Sequence, residues 1–79
     1  MRRRRVESTT VRSVGYERRS KILEIEFQSG AVYQYIDVPA RVYEEFWKAE
    51  SKGQYFNCEI RDTYTFIRLG QGGRAAGGG

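Results

Sequence analysis

The stretch SGAVYQYIDVP, residues 29–39, holds two tyrosines one residue apart and ends at the only proline of the chain. Tyr33 and Tyr35 lie on the same face of any β-strand that contains them, because side chains alternate between the two faces. They could form an exposed stacking surface for nucleic-acid bases, or one side of a small hydrophobic core. Which face they occupy decides the fold, and it depends on how the chain turns just before them.

Two turns compete before this strand. A two-residue loop, Ser29-Gly30, places both tyrosines on the side of the glutamates in the preceding strand and leaves an exposed aromatic and acidic face. A three-residue loop, residues 28–30, with Gly30 in the left-handed region, pairs the tyrosines with Ile25 and Leu23. The two-residue loop normally needs positive φ at both central residues, which serine tolerates poorly. We therefore favour the three-residue loop, with both rings packed between sheet and helix.

Hydrophobic periodicity along the rest of the chain predicts an α+β fold with the element order βββαα and possible room for a last strand. Strands are expected over residues 11–18, 21–28, 31–38 and, as the optional last one, 63–69. Helices are expected over residues 39–50 and 52–61. Ser51 and Gln54 have the spacing of a capping box for the second helix, although Gly53 leaves open an irregular segment there. The result is a three- to four-stranded antiparallel meander with one main helix and a second short helix packed on one face.

The predicted core combines apolar and aromatic residues of two strands and both helices: Leu23, Ile25, Phe27, Tyr33, Tyr35, Val42, Phe46, Phe56 and Ile60. Aromatic residues are 14% of the chain. This share suits a small core, because each ring buries about 150–250 Å². The open face of the sheet is expected to carry the polar side chains of Arg12, Glu24, Glu26 and Gln34.

The excess of positive charge lies at one end of the chain. There are 14 basic and 10 acidic residues, and the two counts become equal without Arg2, Arg3, Arg4 and Arg5. Residues 1–10 lack apolar periodicity and predict a basic disordered arm, while residues 70–79 predict a Gly-rich disordered tail. The folded domain is therefore expected over residues 11–69.

The residue types needed for catalysis are scarce. The chain has no histidine and one cysteine, and HxxxH, CxxC and paired-carboxylate spacings are missing. We therefore predict no enzyme activity, no catalytic residue, no metal site and no cofactor. Cys58 is expected to be a small packing residue on a helix. A weaker alternative is a small hydrolase or transferase built around Ser51, Asn57 and Arg61.

The expected location is the cytoplasm. A single cysteine cannot form an internal disulfide, and no apolar run follows the N-terminal arginines as a signal peptide would need. No stretch approaches the ~20 apolar residues of a membrane span, so no membrane partner is predicted.

Two groups of polar residues are candidates for nucleic-acid binding. The four N-terminal arginines could contact phosphates independently of sequence, or could be a solvated terminus. Asn57 and Arg61 have i, i+4 spacing on the second helix, and beside an aromatic ring they could read a base edge or a peptide carboxylate. The structural alternative has Arg61 capping helix carbonyls and Asn57 bonding to a loop.

The motifs VGYE, LEIEF, YQY, VP, VYEEF, SKGQYFN and IR follow one another between residues 6 and 69. This ordered set resembles the KTSC domain, a family named after its occurrence at the C-terminus of some lysyl-tRNA synthetases. Members often stand alone as small bacterial proteins, and the synthetase link has suggested RNA binding. The sequence departs from the family at residues 8–10, STT in place of paired serines, and at Glu17, where aspartate is usual.

From the resemblance and the arginines we predict a small non-catalytic binding module whose partner is RNA or tRNA. The alternative is a protein–protein interaction module, which surplus aromatic residues and exposed strand edges would favour.

Overall fold

The structure, a computed structural model, describes residues 2–71. Its elements in chain order are β1 (Arg4–Arg5), β2 (Val11–Glu17), β3 (Ile22–Phe27), β4 (Ala31–Tyr35), α1 (Ala40–Lys48), α2 (Lys52–Tyr55), a π-helical segment (Phe56–Ile60) and β5 (Phe66–Gln71). The strands form one five-stranded antiparallel sheet in the order β1-β2-β3-β4-β5. The predicted α+β meander is confirmed, and β5 supplies the optional last strand. The additional strand, β1, lies within residues that we expected to be disordered.

The turn between β3 and β4 is the three-residue loop. Gly30 has a φ of 99°, a conformation that glycine adopts without a steric penalty. Its N–H donates to the carbonyl oxygen of Phe27 at 2.8 Å. The resulting register pairs Ile25 with Tyr33 and Leu23 with the second tyrosine of the stretch. The prediction that both rings lie on the helix side of the sheet is therefore confirmed.

The core lies between the sheet and the helical half of the chain. Most of the predicted core residues are buried: Leu23, Ile25, Tyr35, Val42, Phe46, Phe56 and Ile60. Phe27 and Tyr33 are only partly buried and pack against this cluster. Sequence reasoning did not single out four further members of the core, the valines Val6, Val11, Val14 and Val38.

The N-terminal segment belongs to the sheet, which corrects the expectation of a disordered arm up to residue 10. Strand β1 pairs with β2, and Val6 is buried in the core. Gly15 permits this approach, since a Cβ there would collide with the carbonyl oxygen of Arg2 and lie 3.0 Å from Cγ of Arg3. The domain therefore begins before the boundary that composition indicated.

Two glutamates that alternation placed on an open face are buried instead. Glu24 is 9% exposed and Glu26 is 7% exposed. An Nη1 of Arg3 lies 2.7 Å from Oε2 of Glu24, and Nη1 of Arg12 lies 3.5 Å from Oε2 of Glu26. The other oxygen of Glu26 accepts a hydrogen bond of 2.8 Å from the Ser13 hydroxyl. Because a buried carboxylate needs compensating partners, these arginines are part of the fold.

We predict that Gly15→Ala detaches β1 from the sheet. Overpacking of this kind typically costs about 1–3 kcal/mol, and the free energy of unfolding measured with urea should fall by that amount. The matched control is the same substitution in a chain lacking residues 2–5, where alanine should have no destabilising effect. An equal loss of stability in both backgrounds would contradict the close approach of the N-terminal segment.

Gly70 and Gln71 end β5, whereas residues 72–79 of the predicted tail lie outside the described residues. Between residues 2 and 71, no helix has the length and apolar character needed to cross a membrane. In the same range, no group of three or more cysteine and acidic side chains is arranged to hold a metal ion.

Candidate functional site

A groove of about 650 Å³ opens between the β3–β4 turn, the π-helical segment and the start of β5. Five of its lining residues are aromatic: Phe27, Tyr33, Tyr35, Phe56 and Phe66. Its polar rim is formed by Thr9, Thr10, Gln28, Ser29, Asn57, Arg61 and Asp62. We call this feature the aromatic groove. It joins an apolar floor to hydrogen-bonding groups, as binding sites for small flat ligands commonly do.

The rings of the aromatic groove are arranged as a floor and an open tier. Tyr35, 2% exposed, packs edge-on against Phe56 at a centroid distance of 5.5 Å and belongs to the floor. Tyr33 and Phe66 form the open tier, stacked with centroids 5.0 Å apart and planes inclined by 27°. Phe66 is 48% exposed. The tier thus offers an aromatic surface onto which another flat group can stack.

A widened helical turn places the polar residues of the groove. Ser51 caps α2, with its Oγ accepting a hydrogen bond of 3.3 Å from the Gln54 N–H, so the predicted cap is confirmed. The helix then becomes π-helical, and the Arg61 N–H donates to the Phe56 carbonyl oxygen five residues back at 2.9 Å. Single π-turns inside helices are frequent at functional sites. Asn57 lies within this π-turn and Arg61 at its end, and both line the aromatic groove.

Two arginines contribute positive charge to this region. Arg61 lines the groove. On β5, the guanidinium of Arg68 lies 5.9 Å from the ring centroid of Tyr33, within cation–π range. Asp62 is the acidic residue of the lining. The arrangement suits a ligand that combines a flat ring with negative charge.

The hydroxyls of Tyr35, which is buried, and Tyr55, which is partly exposed, resist ionisation. Burial, and next the neighbouring Tyr33, raise the pKa of Tyr35 to about 12. Burial also raises the pKa of Tyr55 to about 12, with a contribution from its 2.9 Å hydrogen bond to Glu45. At neutral pH the Tyr35 phenol on the groove floor is therefore uncharged.

These raised pKa values predict a loss of stability in alkali. A tyrosine whose folded-state pKa exceeds the unfolded value of about 10 stabilises the fold fully below pH 10, and that contribution is lost as the pH rises toward 12. The urea midpoint of the wild type should fall through this window, and Tyr35→Phe should lose less across it. Parallel falls in both proteins would contradict the assignment to Tyr35.

The structure separates the two groups of predicted binding residues. Arg3 pairs with a buried glutamate, and the guanidinium of Arg4 lies 4.5 Å from the ring centroid of Trp47, so both have structural contacts. Arg2 and Arg5 are exposed. Asn57 and Arg61 lie instead in the aromatic groove.

The sequence did not predict the positions of three other residues in this region, Phe66, Arg68 and Cys58. Phe66 and Arg68 were not singled out, since the last strand was only optional and its register was unknown. Cys58 was predicted to be a packing residue, and this was wrong: it is exposed, on the side of the helical segment opposite the buried Phe56 and Ile60. Alternation along TYTFIRL, residues 63–69, was the signal that could have placed Phe66 and Arg68 on one face.

Comparison with known proteins gives consistent matches over this domain. The family model of the KTSC domain matches residues 7–64. The crystal structure of a KTSC domain protein from Yersinia pestis superposes with a TM-score of 0.85 at 35% identity, covering 87% of this chain and 97% of that one. An uncharacterized protein of Stutzerimonas stutzeri is 44% identical over 57 residues, which are 72% of this chain and 80% of that protein.

Similarity extends to one region of much longer proteins. A lysine–tRNA ligase of Nostoc punctiforme is 41% identical over 63 residues, which are 80% of this chain and 11% of the ligase. A lysine–tRNA ligase of Trichormus variabilis is 40% identical over 63 residues, with the same coverage of each chain. The chain thus spans about a tenth of the length of the ligases that it matches.

Proposed function

Because this chain belongs to the KTSC domain family, we propose that it is a small non-catalytic module that binds single-stranded RNA, such as an unpaired segment of tRNA, in its aromatic groove. The observation that carries the proposal is the open tier of Tyr33 and Phe66 beside Arg61. Unpaired bases bind proteins by stacking on aromatic rings and by hydrogen bonds along their edges. A duplex offers neither an unstacked base face nor a strand flexible enough to enter the groove.

Two further features support this proposal. Asn57 and Arg61 supply an amide and a guanidinium at the rim, and both groups hydrogen-bond to base edges or phosphates. The matched ligases are named for tRNA, which makes RNA a natural class of partner for a related domain. A purely structural role for the tier is less consistent with Phe66, since a core ring would be buried more completely than 48% exposure allows.

The test compares two RNAs of about eight nucleotides, a size within the range of single-strand binding sites. One is single-stranded polyuridine and the other is a blunt duplex, each with a fluorescent label and read by anisotropy at low and at physiological salt. The single strand should bind more tightly at both salt concentrations, and unlabelled tRNA should compete. Absence of binding at low salt, or equal affinity for the duplex, would contradict the proposal.

A second candidate function rests on the outer edge of β5. In the described part of the sheet β5 has a single neighbour, β4. Ile67 and Leu69 on this strand are 52% and 53% exposed. An unpaired edge with apolar side chains can accept an extended apolar peptide as an added strand. On this alternative the module binds such a segment of a protein partner.

The two candidates predict opposite responses to the same variants. A protein partner captured by the wild type should be retained after nuclease treatment and lost with the double variant Ile67→Lys, Leu69→Lys. RNA binding in the aromatic groove should survive that variant. A partner released by nuclease, or unaffected by the two lysines, would count against strand addition.

A further inference from the structure

A second, charged cleft lies on the other face of the sheet and adjoins the aromatic groove. It has a volume of about 690 Å³ and is lined by Arg3, Arg5, Val6, Arg12, Ser13, Glu26 and Gln28. We call it the arginine cleft. Gln28, the first residue of the β3–β4 loop, lines both the cleft and the groove. A flexible strand can therefore pass from one to the other around this end of the sheet.

The arginines of the cleft are brought together by strand pairing. Arg5 on β1 lies opposite Ser13 on β2, which in turn lies opposite Glu26 on β3. The pairing of β2 with β3 is shifted between residues 11 and 13, which leaves Arg12 as the additional residue of a β-bulge. Bulges redirect a side chain out of the regular alternation, and they are frequent next to functional sites. This one brings Arg12 to the side of Glu26.

The charges of this face leave one positive charge without a carboxylate. Arg3 pairs with Glu24 at 2.7 Å, and Arg12 lies 3.5 Å from Glu26. Arg5 forms no ion pair with any residue of the range 2–71 and is exposed. A single surplus charge matches the single negative charge of a phosphodiester.

Arg12 also contacts Gln28, the residue shared by the cleft and the groove. Its Nε donates to the Gln28 side-chain oxygen at 3.4 Å, and its side chain is 46% exposed. Gln28 is held in turn by its amide, which donates to the Ser8 carbonyl oxygen at 3.0 Å. The Arg12 guanidinium thus contacts the residue that cleft and groove share, and it keeps an exposed edge.

From these contacts we propose that Arg5 and Arg12 form a phosphate subsite for the RNA strand whose base occupies the aromatic groove. The proposal rests on the proposed function. It adds the path of the RNA strand, which leaves the groove past Gln28 and enters the arginine cleft. It also assigns the phosphate contact to two specific arginines rather than to the whole N-terminal run. Arg3 and Arg4, held by Glu24 and Trp47, contribute to the fold instead.

The test measures how the affinity for single-stranded polyuridine depends on salt. On a log–log plot each phosphate contact contributes a slope of about −0.7 for single strands. The full-length double variant Arg5→Gln, Arg12→Gln should lose about 0.7 of slope for one shared phosphate. The control Arg19→Gln, Arg41→Gln removes two exposed arginines elsewhere and should keep the wild-type slope.

Three results separate the possible outcomes. Because Arg12 contacts a buried glutamate, Arg5→Gln alone is included, and it should melt as the wild type does while reducing the slope. Wild-type slopes in both Arg5 variants, with RNA still bound, would overturn the phosphate subsite and leave the proposed function intact. Failure of the wild type to bind RNA at low salt would overturn both.

Discussion

Replacing Phe46 by alanine should remove a large part of the protein's free energy of unfolding. Phe46 has no exposed surface and contacts Trp47 and Tyr55 edge-on, with centroids 5.5 Å and 6.3 Å away. Truncating a buried phenylalanine costs about 3–5 kcal/mol. A chain of this size has a free energy of unfolding of only about 4–12 kcal/mol, so the loss is a large fraction of the total. Urea denaturation followed by Trp47 fluorescence measures it.

The matched control for this substitution is Phe66→Ala. It removes the same atoms from a ring that is 48% exposed, so a smaller loss of stability is expected because less apolar surface leaves a buried environment. Comparable losses for the two variants would contradict the placement of Phe46 at the centre of the core.

The largest effect on binding is expected from the double variant Phe66→Ser, Arg61→Gln. Each base stacked on an aromatic ring contributes about 1–3 kcal/mol, and a hydrogen bond to a charged group contributes about 1.5–3 kcal/mol. Affinity for single-stranded RNA should therefore fall by about 50-fold or more, since each 1.4 kcal/mol is about tenfold. Anisotropy titration at one low salt concentration measures the change.

The control for this variant is Ile67→Ser, Arg19→Gln. Ile67 is the neighbour of Phe66 on β5 with similar exposure, but it lies outside the lining of the aromatic groove. Arg19 is an exposed arginine in the β2–β3 turn, so the net charge change is the same. Equal losses of affinity in both proteins would mean that charge and exposed apolar area, rather than the groove, determine binding.

Local sequence signals predicted those parts of the fold that depend on neighbouring residues. The φ requirement of Gly30 fixed the β3–β4 register, and with it the side of the sheet on which Tyr33 and Tyr35 lie. The spacing of Ser51 and Gln54 located the start of α2. In each case the physical constraint acts over a few residues and is therefore visible in the sequence.

The errors came from contacts between distant parts of the chain. A run of four arginines has the composition of a disordered arm, but Gly15 leaves room for it, and the buried glutamates Glu24 and Glu26 stabilise it. Neither condition can be read from the run itself. Alternation alone likewise predicted an open face where Arg3 and Arg12 pair with the two glutamates.

The candidate site was only half predictable for a related reason. Asn57 and Arg61 were found from their spacing on a helix, whereas the rings of the open tier come from β4 and β5. Phe66 reaches the groove through the pairing of β5 with β4, in which it lies opposite Tyr35. The exposure of Cys58 follows from the burial of Phe56 and Ile60 on the opposite side of the same segment.

Amide chemical-shift mapping can locate single-stranded RNA in the aromatic groove. Isotope-labelled protein is titrated with a single-stranded RNA of about eight nucleotides. If RNA binds in this groove, the largest shifts should occur in β4, the π-helical segment and the start of β5, with Tyr33, Asn57, Arg61 and Phe66 among them. Shifts confined to the exposed side of α1 or to the β2–β3 turn, with these four amides unmoved, would contradict it.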